Sequence, residues 1–479
     1  MSELEHEVQR HSIMYLISSA GITLLGFLAT IFYAHWVGAD VLGQYMVFVS
    51  CLSILSIFCD LGIGYATTYR ICEGKDPDIY FSAGLILRLG LLAIVSVVLV
   101  LFGKILIGDL RNNQLFWVLI LVLGISTLTS AISTSLGASN RLGLAASVSL
   151  IDNTTRILVQ ALAVFLGFQV YGLIGGMIAG LLVELVIDLR YLDYRLVRFD
   201  WAHAHKIFSF SSWAFMSSTC TVLFDNANLL IISYFLTIAD AGIFGVCWTF
   251  SFFALFVSTA LVNTLFVKVS RWKAVGDWNA ITVSLSRAMS YALILAVPML
   301  IGGTLLGRNL LYYLYGSSFS AGATALVIIL GARVVQSLFQ IYSNYLMATD
   351  HVQHQFYGLI AGTIAGIALA FILVPFFGLS GAAIASLVNV IISTLICRHY
   401  LVTVVPICIE RDIVRDIFLA SGVMTIVLLL TGLLPLKPGV LITGGMVALG
   451  TVVYLAVLFT LNARIRDDVF KIIRIRWIS

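Results

Sequence analysis

Long apolar runs separated by short polar segments repeat along the whole chain. Each run has the roughly 20 residues that a helix needs to cross a bilayer, and none alternates at the period of two that a β-barrel strand shows. The pattern predicts an all-α integral membrane protein with fourteen transmembrane helices. We expect them at residues 12–36, 44–67, 80–103, 114–136, 144–167, 170–189, 207–235, 241–267, 281–306, 321–346, 356–374, 379–396, 413–434 and 440–461.

One apolar phrase occurs twice. VYGLIGGMIAGLLVEL at residues 170–185 returns as FFGLSGAAIASLVNVI at residues 376–391. Two shorter pairs keep the same order: ADVLGQY at 39–45 with ADAGIF at 239–244, and GASNR at 137–141 with MATDH at 347–351. Since six predicted helices separate the copies, both copies share one membrane orientation, as in a parallel repeat. Chance recurrence of small-residue packing phrases is the alternative.

The repeat predicts two pseudo-symmetric six-helix bundles around a central cavity, with two further helices at the C-terminal end. We expect an N-lobe at residues 1–200 with helices 1–6, and a C-lobe at residues 201–405 with helices 7–12. Residues 406–479 then hold helices 13 and 14 and a cytoplasmic tail. A cavity opened alternately to each side of the membrane is a transport mechanism.

Composition and charge agree with a membrane location. Hydrophobic residues make up 61% of the chain and charged residues 10%, and the mean hydropathy is +1.06. Nineteen lysines and arginines lie in predicted loops on the side of the N-terminus and four in the others, which places both termini in the cytoplasm. The net charge of +4 therefore reflects topology and indicates no nucleic-acid partner. The acidic start MSELEHEVQR is unlike a cleavable signal peptide.

The sequence also argues against an enzyme and predicts no cofactor. The predicted loops are too short for a nucleotide-binding domain, and the chain has no GxxxxGK[ST], HExxH or GxSxG motif. The seven cysteines include no CxxC pair and lie mainly in or beside the apolar runs, so we expect neither disulfides nor a metal site.

Three stretches resemble the polysaccharide-transporter branch of the multidrug/oligosaccharidyl-lipid/polysaccharide exporter superfamily, which is also called the MOP superfamily. They are HWVGADVLGQYMVF, DLGIGYATTYR and LFDNANLLIISYFLTIADAGIFGVCWTF. The resemblance implies a MATE-like fold and a Wzx-type flippase. Such a protein moves a polyprenyl-pyrophosphate-linked sugar unit from the inner to the outer leaflet.

The same likeness implies partners for the protein. The lipid-linked oligosaccharide, the bilayer and glycan polymerase or ligase proteins are the expected partners of a monomeric transporter. MurJ-type lipid II flippases bind the lipid tail with their last two helices, so residues 406–479 are expected to bind a tail. Lipid II is a less favoured cargo because the first predicted helix has no arginine in its apolar run. A cation-coupled multidrug exporter and a scaffold for cell-wall synthesis are the competing interpretations.

Four arginines lie well inside the predicted helices, away from the helix ends: Arg88, Arg156, Arg287 and Arg333. An intramembrane charge costs about 2.5–3.5 kcal/mol on insertion scales and usually faces a watery cavity or a partner. Arg88 and Arg287 are separated by nearly the repeat offset, which predicts a pair of guanidinium forks facing each other for the pyrophosphate. Snorkelling of either side chain to the nearby interface is the alternative.

Polar residues continue from Arg333 along one helix face, at Ser337, Gln340 and Asn344. Hydroxyls and amides that line a cavity suit a sugar, and hydrogen bonding between helices is the alternative. Arg156 follows Asp152 by four residues, so we expect the two to neutralise each other more than to contact cargo.

The remaining candidates concern ion coupling and movement. Asp60, Asp152, Asp225 and Asn226 are candidate coupling or counter-ion residues. Pro298 interrupts its helix and predicts a hinge, with passive kinking as the alternative.

Overall fold

The computed structural model describes residues 2–74, 76–106, 114–138, 142–198, 200, 203, 207, 212–432 and 439–467. Every regular element in these residues is helical. The helices are α1 (Ser2–Asp60), α2 (Ile63–Cys72), α3 (Pro77–Leu106), α4 (Leu115–Ala138), α5 (Leu142–Phe165), α6 (Gln169–Arg190), α7 (Ser212–Phe235), α8 (Ile238–Ser251), α9 (Phe256–Ala274), α10 (Trp278–Tyr315), α11 (Ala323–Ala348), α12 (Val352–Val404), α13 (Arg411–Gly432) and α14 (Val440–Leu461). Two 3₁₀ turns, Phe252–Leu255 and Ser317–Gly322, precede α9 and α11.

Eleven helical segments of the described chain are long and apolar enough to cross a membrane, so this is a multi-pass membrane protein. They are Gly21–Asp60, Pro77–Phe102, Leu115–Leu136, Ser147–Phe165, Gln169–Arg190, Ile238–Ala274, Trp278–Tyr315, Ser317–Ala348, Val352–Val404, Arg411–Gly432 and Val440–Leu461. The apolar helix Thr219–Phe235 is shorter.

Two long helices are each divided at one glycine. α1 has 59 residues and breaks at Gly38, with φ 74° and ψ −179°. α12 has 53 residues and breaks at Gly378, with φ 57° and ψ −135°. Glycine tolerates these positive φ angles because it has no Cβ. The loops expected between the first two and the eleventh and twelfth predicted helices are therefore glycine breaks in continuous helices.

Two other predicted helices are interrupted within their bounds. We expected one continuous helix at residues 44–67, and this was wrong. Leu61 and Gly62 have φ angles of 43° and 76° and separate α1 from α2. The prediction at 241–267 contains the 3₁₀ turn Phe252–Leu255. Apolar periodicity does not report such breaks, because the residues on both sides of each break remain largely apolar.

The chain forms two compact units, one at Met1–Ser233 and the other at Tyr234–Ser479. The division into parts at 1–200, 201–405 and 406–479 stays a prediction. The first copy of the repeated phrase lies in α6 of the first unit, and the second copy includes the Gly378 break of α12 in the second unit. The GASNR match includes residues 139–141, which lie outside the described residues.

Glycines allow close helix packing within each unit. In the first unit, Gly172, Gly176 and Gly180 recur every four residues on α6, where an added Cβ would overlap with side chains or backbone of α5. In the second unit, Gly358, Gly362 and Gly366 have the same spacing on α12 and face the part of α12 that follows Gly378. Small residues at this spacing are typical of membrane helices whose backbones approach closely.

Pro298 lies within α10, where it removes the backbone N–H that would bond to the carbonyl of Ile294. The hydroxyl of Tyr454, on α14, donates a hydrogen bond of 2.6 Å to this carbonyl. Tyr454 is 3% exposed. An apolar cluster that includes Val297, Ile417 and Leu458 packs α10, α13 and α14 together around this contact. A side chain of α14 thus bonds to the carbonyl that Pro298 leaves free.

A double-mutant cycle tests this assignment. Tyr454→Phe leaves a buried carbonyl without its donor, and we expect it to lower the free energy of unfolding by roughly 1–3 kcal/mol. In a Pro298→Ala background the N–H of residue 298 returns, so the same change should cost much less. Unfolding of the four purified proteins in detergent measures the coupling, with the exposed Tyr312→Phe as control. Equal costs in both backgrounds would contradict the assignment.

Candidate substrate-binding site

Arg88 lies on α3 in the first unit and is 4% exposed. Its Nη2 forms an ion pair with Oδ1 of Asp60, and Nη1 lies 3.4 Å from Oγ1 of Thr134. Asp60 also accepts backbone N–H groups of Gly62 and Gly64, at 3.2 Å and 3.1 Å. The carboxylate of Asp60 therefore bonds to the backbone at the break between α1 and α2 and also pairs with the buried guanidinium of Arg88. Two residues predicted separately, as head-group ligand and counter-ion, are direct partners.

A small pocket opens beside this guanidinium. Its lining is Thr67, Phe81, Gly84, Leu85, Arg88, Ala131, Thr134 and Ser135. Nε of Arg88 and Oγ1 of Thr67 are buried and have no hydrogen-bond partner among the described residues. Because buried polar atoms are normally paired, both are available to a ligand or water. The pocket is too small to hold a sugar chain, so a group that reaches the guanidinium must displace the side chains around it.

Arg333 has a different environment. It lies on α11 in the second unit, is 1% exposed, and is enclosed by aromatic rings. Its Cζ lies 4.0 Å from the ring centroid of Trp248 and 4.4 Å from that of Phe252. Nε donates to Oγ of Ser251 at 2.8 Å, and Nη1 donates to Gln336. Cation–π contacts and hydrogen bonds thus hold Arg333 against the junction of α8 and its 3₁₀ turn.

Two residues of the polar stripe that follows Arg333 contact α9, the helix after that 3₁₀ turn. Oγ of Ser258 donates to Oε1 of Gln340 at 2.7 Å, and Nδ2 of Asn344 donates to the carbonyl of Val262 at 3.3 Å. These two pairs and the pair of Arg333 with Ser251 share one sequence separation of 82 residues, so the two helical segments run parallel. Ser337 is buried and donates to a carbonyl of its own helix. The stripe therefore forms hydrogen bonds between helices within the second unit.

Arg287 lies on α10 and is 53% exposed. Its Nε lies 3.6 Å from Oε1 of Glu410, and Nη1 of Arg464 lies 3.8 Å from Oε2 of the same carboxylate. The backbone N–H of Glu410 donates to Oγ of Ser290 at 3.2 Å. Two arginines from distant parts of the sequence thus share one carboxylate.

Asp152 and Arg156 lie on α5, facing α6. Arg156 donates to Oδ1 of Asn153, and no ion pair with Asp152 is present among the described residues, although we expected the two to neutralise each other. An added Cβ on Gly180 of α6 would overlap with Oδ1 of Asp152, which shows how closely the helices pack. This packing brings Glu184 into the electrostatic range of both residues.

The other candidates have less defined surroundings. Asn226 donates to the carbonyl of Val222 on its own helix, and the adjacent Asp225 is half-buried on α7. Within the described residues, no group of three or more His, Cys, Asp and Glu is placed to hold a metal ion.

Sequence reasoning missed several partners of the candidate arginines. Thr67 and Thr134 contribute to the Arg88 pocket, but neither is distinguished from the many other hydroxyl residues of the apolar runs. Glu410 and Arg464 belong to loops that the charge count had used for topology alone. Gly64 packs against the Arg88 guanidinium, but the two residues lie on different helices and nothing in the sequence links them.

Solved structures of other membrane transporters have a fold similar to this one. It is similar to that of "Lipid II flippase MurJ, inward closed conformation", with a TM-score of 0.75 and 16% identity over 95% of this chain and 99% of that chain. It is also similar to an inward-facing multidrug resistance MATE family transporter of the MOP superfamily, with a TM-score of 0.66, 14% identity, and coverage of 80% and 95%. The chain thus has the fold of a MOP-superfamily transporter.

The family follows from sequence. The family model described as polysaccharide biosynthesis protein matches residues 37–324, and the chain belongs to this family. "Probable low-salt glycan biosynthesis flippase Agl15" of Haloferax volcanii is 26% identical over 401 residues, or 84% of this chain and 85% of that protein. "Probable flippase AglR" of the same organism is 24% identical over 423 residues, or 85% and 86%. The resemblance to the polysaccharide branch of the superfamily is confirmed.

The Arg88 contact is tested by Gly64→Ala. The added methyl group would overlap with the guanidinium and lie 3.1 Å from Oδ1 of Asp60, so it separates the ion pair while keeping both charges. We expect a loss of roughly 1–3 kcal/mol in the free energy of unfolding, as for overpacking elsewhere. In an Arg88→Ala background the methyl group has room, and the loss should largely disappear.

Gly90→Ala on α3 is the matched control, because nothing lies within 4 Å of its added Cβ. Unfolding in detergent compares the variants. If Gly64→Ala is as stable as Gly90→Ala, the guanidinium does not occupy the described position.

Proposed function

We propose that this protein is a flippase that carries a polyprenyl-pyrophosphate-linked oligosaccharide from the inner to the outer leaflet by alternating access. The oligosaccharide is a repeat unit of a surface polysaccharide, an O-antigen or a cell-wall glycan. The observation that carries the proposal is the buried Arg88, with an unpaired Nε beside a small pocket. Support also comes from the family and from the two Haloferax volcanii relatives, both named as probable flippases.

The proposed architecture has fourteen transmembrane helices. Among the described residues, division of α1 and α12 at their glycine breaks and inclusion of Thr219–Phe235 raise the eleven long apolar segments to this number. We infer two six-helix bundles in a parallel repeat, followed by two helices that bind the lipid tail. Both termini face the cytoplasm, and one chain is sufficient for transport.

Arg88 is the proposed anchor of the pyrophosphate. A guanidinium has five N–H donors in a planar fork that matches phosphate oxygens. In the absence of cargo, Asp60 neutralises this charge, and a phosphate that enters the pocket replaces part of that interaction. Arg287 is the proposed second contact, on the basis of its exposure and its position relative to Arg88 in the proposed repeat.

The other candidates have supporting roles in this proposal. The bonds of Gln340 and Asn344 within the second unit favour hydrogen bonding between helices over contact with a sugar. The enclosed Arg333 likewise favours stabilisation of that unit. Asp225 is proposed as a coupling residue.

A cation-coupled multidrug exporter is the rival function, since MATE transporters share the fold. An exporter of organic cations requires acidic residues in its binding site. The buried guanidinium of Arg88 lines this pocket, and a cation there favours an anionic ligand instead.

Binding to the purified protein distinguishes the two functions. We expect a polyprenyl-pyrophosphate-linked sugar to bind in a salt-sensitive manner, because charge attraction is screened by salt. Arg88→Ala/Arg287→Ala should lower its affinity roughly tenfold or more, since a charged hydrogen bond is worth about 1.5–3 kcal/mol. Arg88→Lys, which keeps the charge but loses the fork, should show an intermediate loss.

The exposed Arg308→Ala is the control for charge alone. A folded Arg88→Lys protein, verified by size-exclusion chromatography, keeps the test informative if the double variant is unstable. Binding of a cationic dye that disappears in Asp225→Asn, without binding of the lipid-linked sugar, would instead establish the exporter.

A further inference from the structure

The shared carboxylate of Glu410 has an unusual arrangement. The separations of 3.6 Å and 3.8 Å from Arg287 and Arg464 are ion-pair distances but exceed those of good hydrogen bonds. In the described part of the chain, neither guanidinium makes a hydrogen bond. Two arginine forks thus converge on one anionic group while their N–H donors remain available.

The backbone beneath these side chains is held firmly. Ser290 accepts the N–H of Glu410 and fixes the segment before α13 to α10. Asn462, at the end of α14, donates to Oδ2 of the buried Asp416 at 2.9 Å and accepts the N–H of Ile465 at 3.1 Å. The turn that carries Arg464 is therefore anchored to α13, and the two arginines need little backbone movement to bind a ligand.

Two neighbouring arginines have ion-pair partners of their own. Arg415 contacts Asp412 and Asp416, and Arg466 contacts Asp467. Only Arg287 and Arg464 share a single carboxylate in the described residues, which leaves this cluster with one excess positive charge. Glu410 is 24% exposed and Arg464 is 78% exposed, so an anion has access.

The adjoining surface suits a lipid. Near the cluster, α13 exposes Phe418 and Leu419, and α14 exposes Leu455 and Leu461. In a membrane protein such side chains face acyl chains, while arginines at helix ends contact the head-group region. The cluster joins a cationic site to an apolar surface, which matches an anionic head group with its chains.

We propose that Arg287 and Arg464 form a binding site for the phosphate of a lipid head group, and that Glu410 occupies this site when no lipid is bound. Phosphate oxygens take the guanidinium donors in bidentate pairs, and the Glu410 carboxylate turns away. The phosphate belongs either to an anionic phospholipid or to a polyprenyl-pyrophosphate cargo. The second source rests on the proposed function.

Glu410→Gln gives the sharpest test. It removes the competing negative charge and keeps the backbone bond to Ser290, so we expect lipid phosphates to bind several-fold more tightly. Arg287→Gln and Arg464→Gln should each weaken binding several-fold. Arg466→Gln is the matched control, because it removes an equal charge from the same turn but belongs to a different ion pair.

The probes are dioleoyl phosphatidic acid and farnesyl diphosphate, titrated into the protein in neutral detergent and followed by native mass spectrometry. Dioleoyl phosphatidylcholine and farnesol control for the chains. Preferential binding of phosphatidic acid supports the site with a phospholipid as its source, and preferential binding of farnesyl diphosphate supports it with the cargo. A Glu410→Gln variant without a gain, or equal binding by the Arg464→Gln and Arg466→Gln variants, would overturn the proposal.

Failure of the proposed function has a different signature. If the lipid-linked sugar does not bind through Arg88 but phosphatidic acid binding responds to Glu410, the lipid site stands without the flippase. If the sugar binds through Arg88 while Glu410→Gln changes nothing, the flippase stands without this site.

Discussion

A polar backbone group in the bilayer core has no water to bond with, and the described structure is organised around this constraint. At two irregularities, a polar side chain meets the backbone groups that are left free. Asp60 accepts two N–H groups at the break between α1 and α2. Tyr454 donates to the carbonyl that Pro298 leaves free. Breaks that look like defects in the apolar pattern are thus specific contacts between helices.

The same constraint separates arginines that look alike in sequence. Arg333 is enclosed by aromatic rings and hydrogen bonds, and its charge serves packing within the second unit. Arg88 is equally buried, but it pairs with Asp60 and lines a small pocket. Arg287 is largely exposed and only loosely paired. Burial alone therefore does not identify a ligand contact.

The apolar pattern alone predicted the helical membrane fold, because hydrophobic length is a local property of the chain. The family resemblance was also available from sequence, through phrases around the Gly38 break and at the start of α8. The sequence did not indicate which side chains contact the candidate residues. Tyr454 and Ile294 are 160 residues apart, and nothing near either residue indicates the other. The pocket beside Arg88 likewise depends on hydroxyls from two separate helices, α2 and α4.

The C-terminal helices and the segment before them pack against the second unit along one face of α10. Arg287, Ser290 and Ile294 follow one another at helical spacing and meet Glu410 and Tyr454 in turn. The cationic cluster and the hydrogen bond beside Pro298 therefore belong to one packing surface. The contacts of Glu410 and of Tyr454 both stabilise this face of α10 against the helices that follow it in sequence.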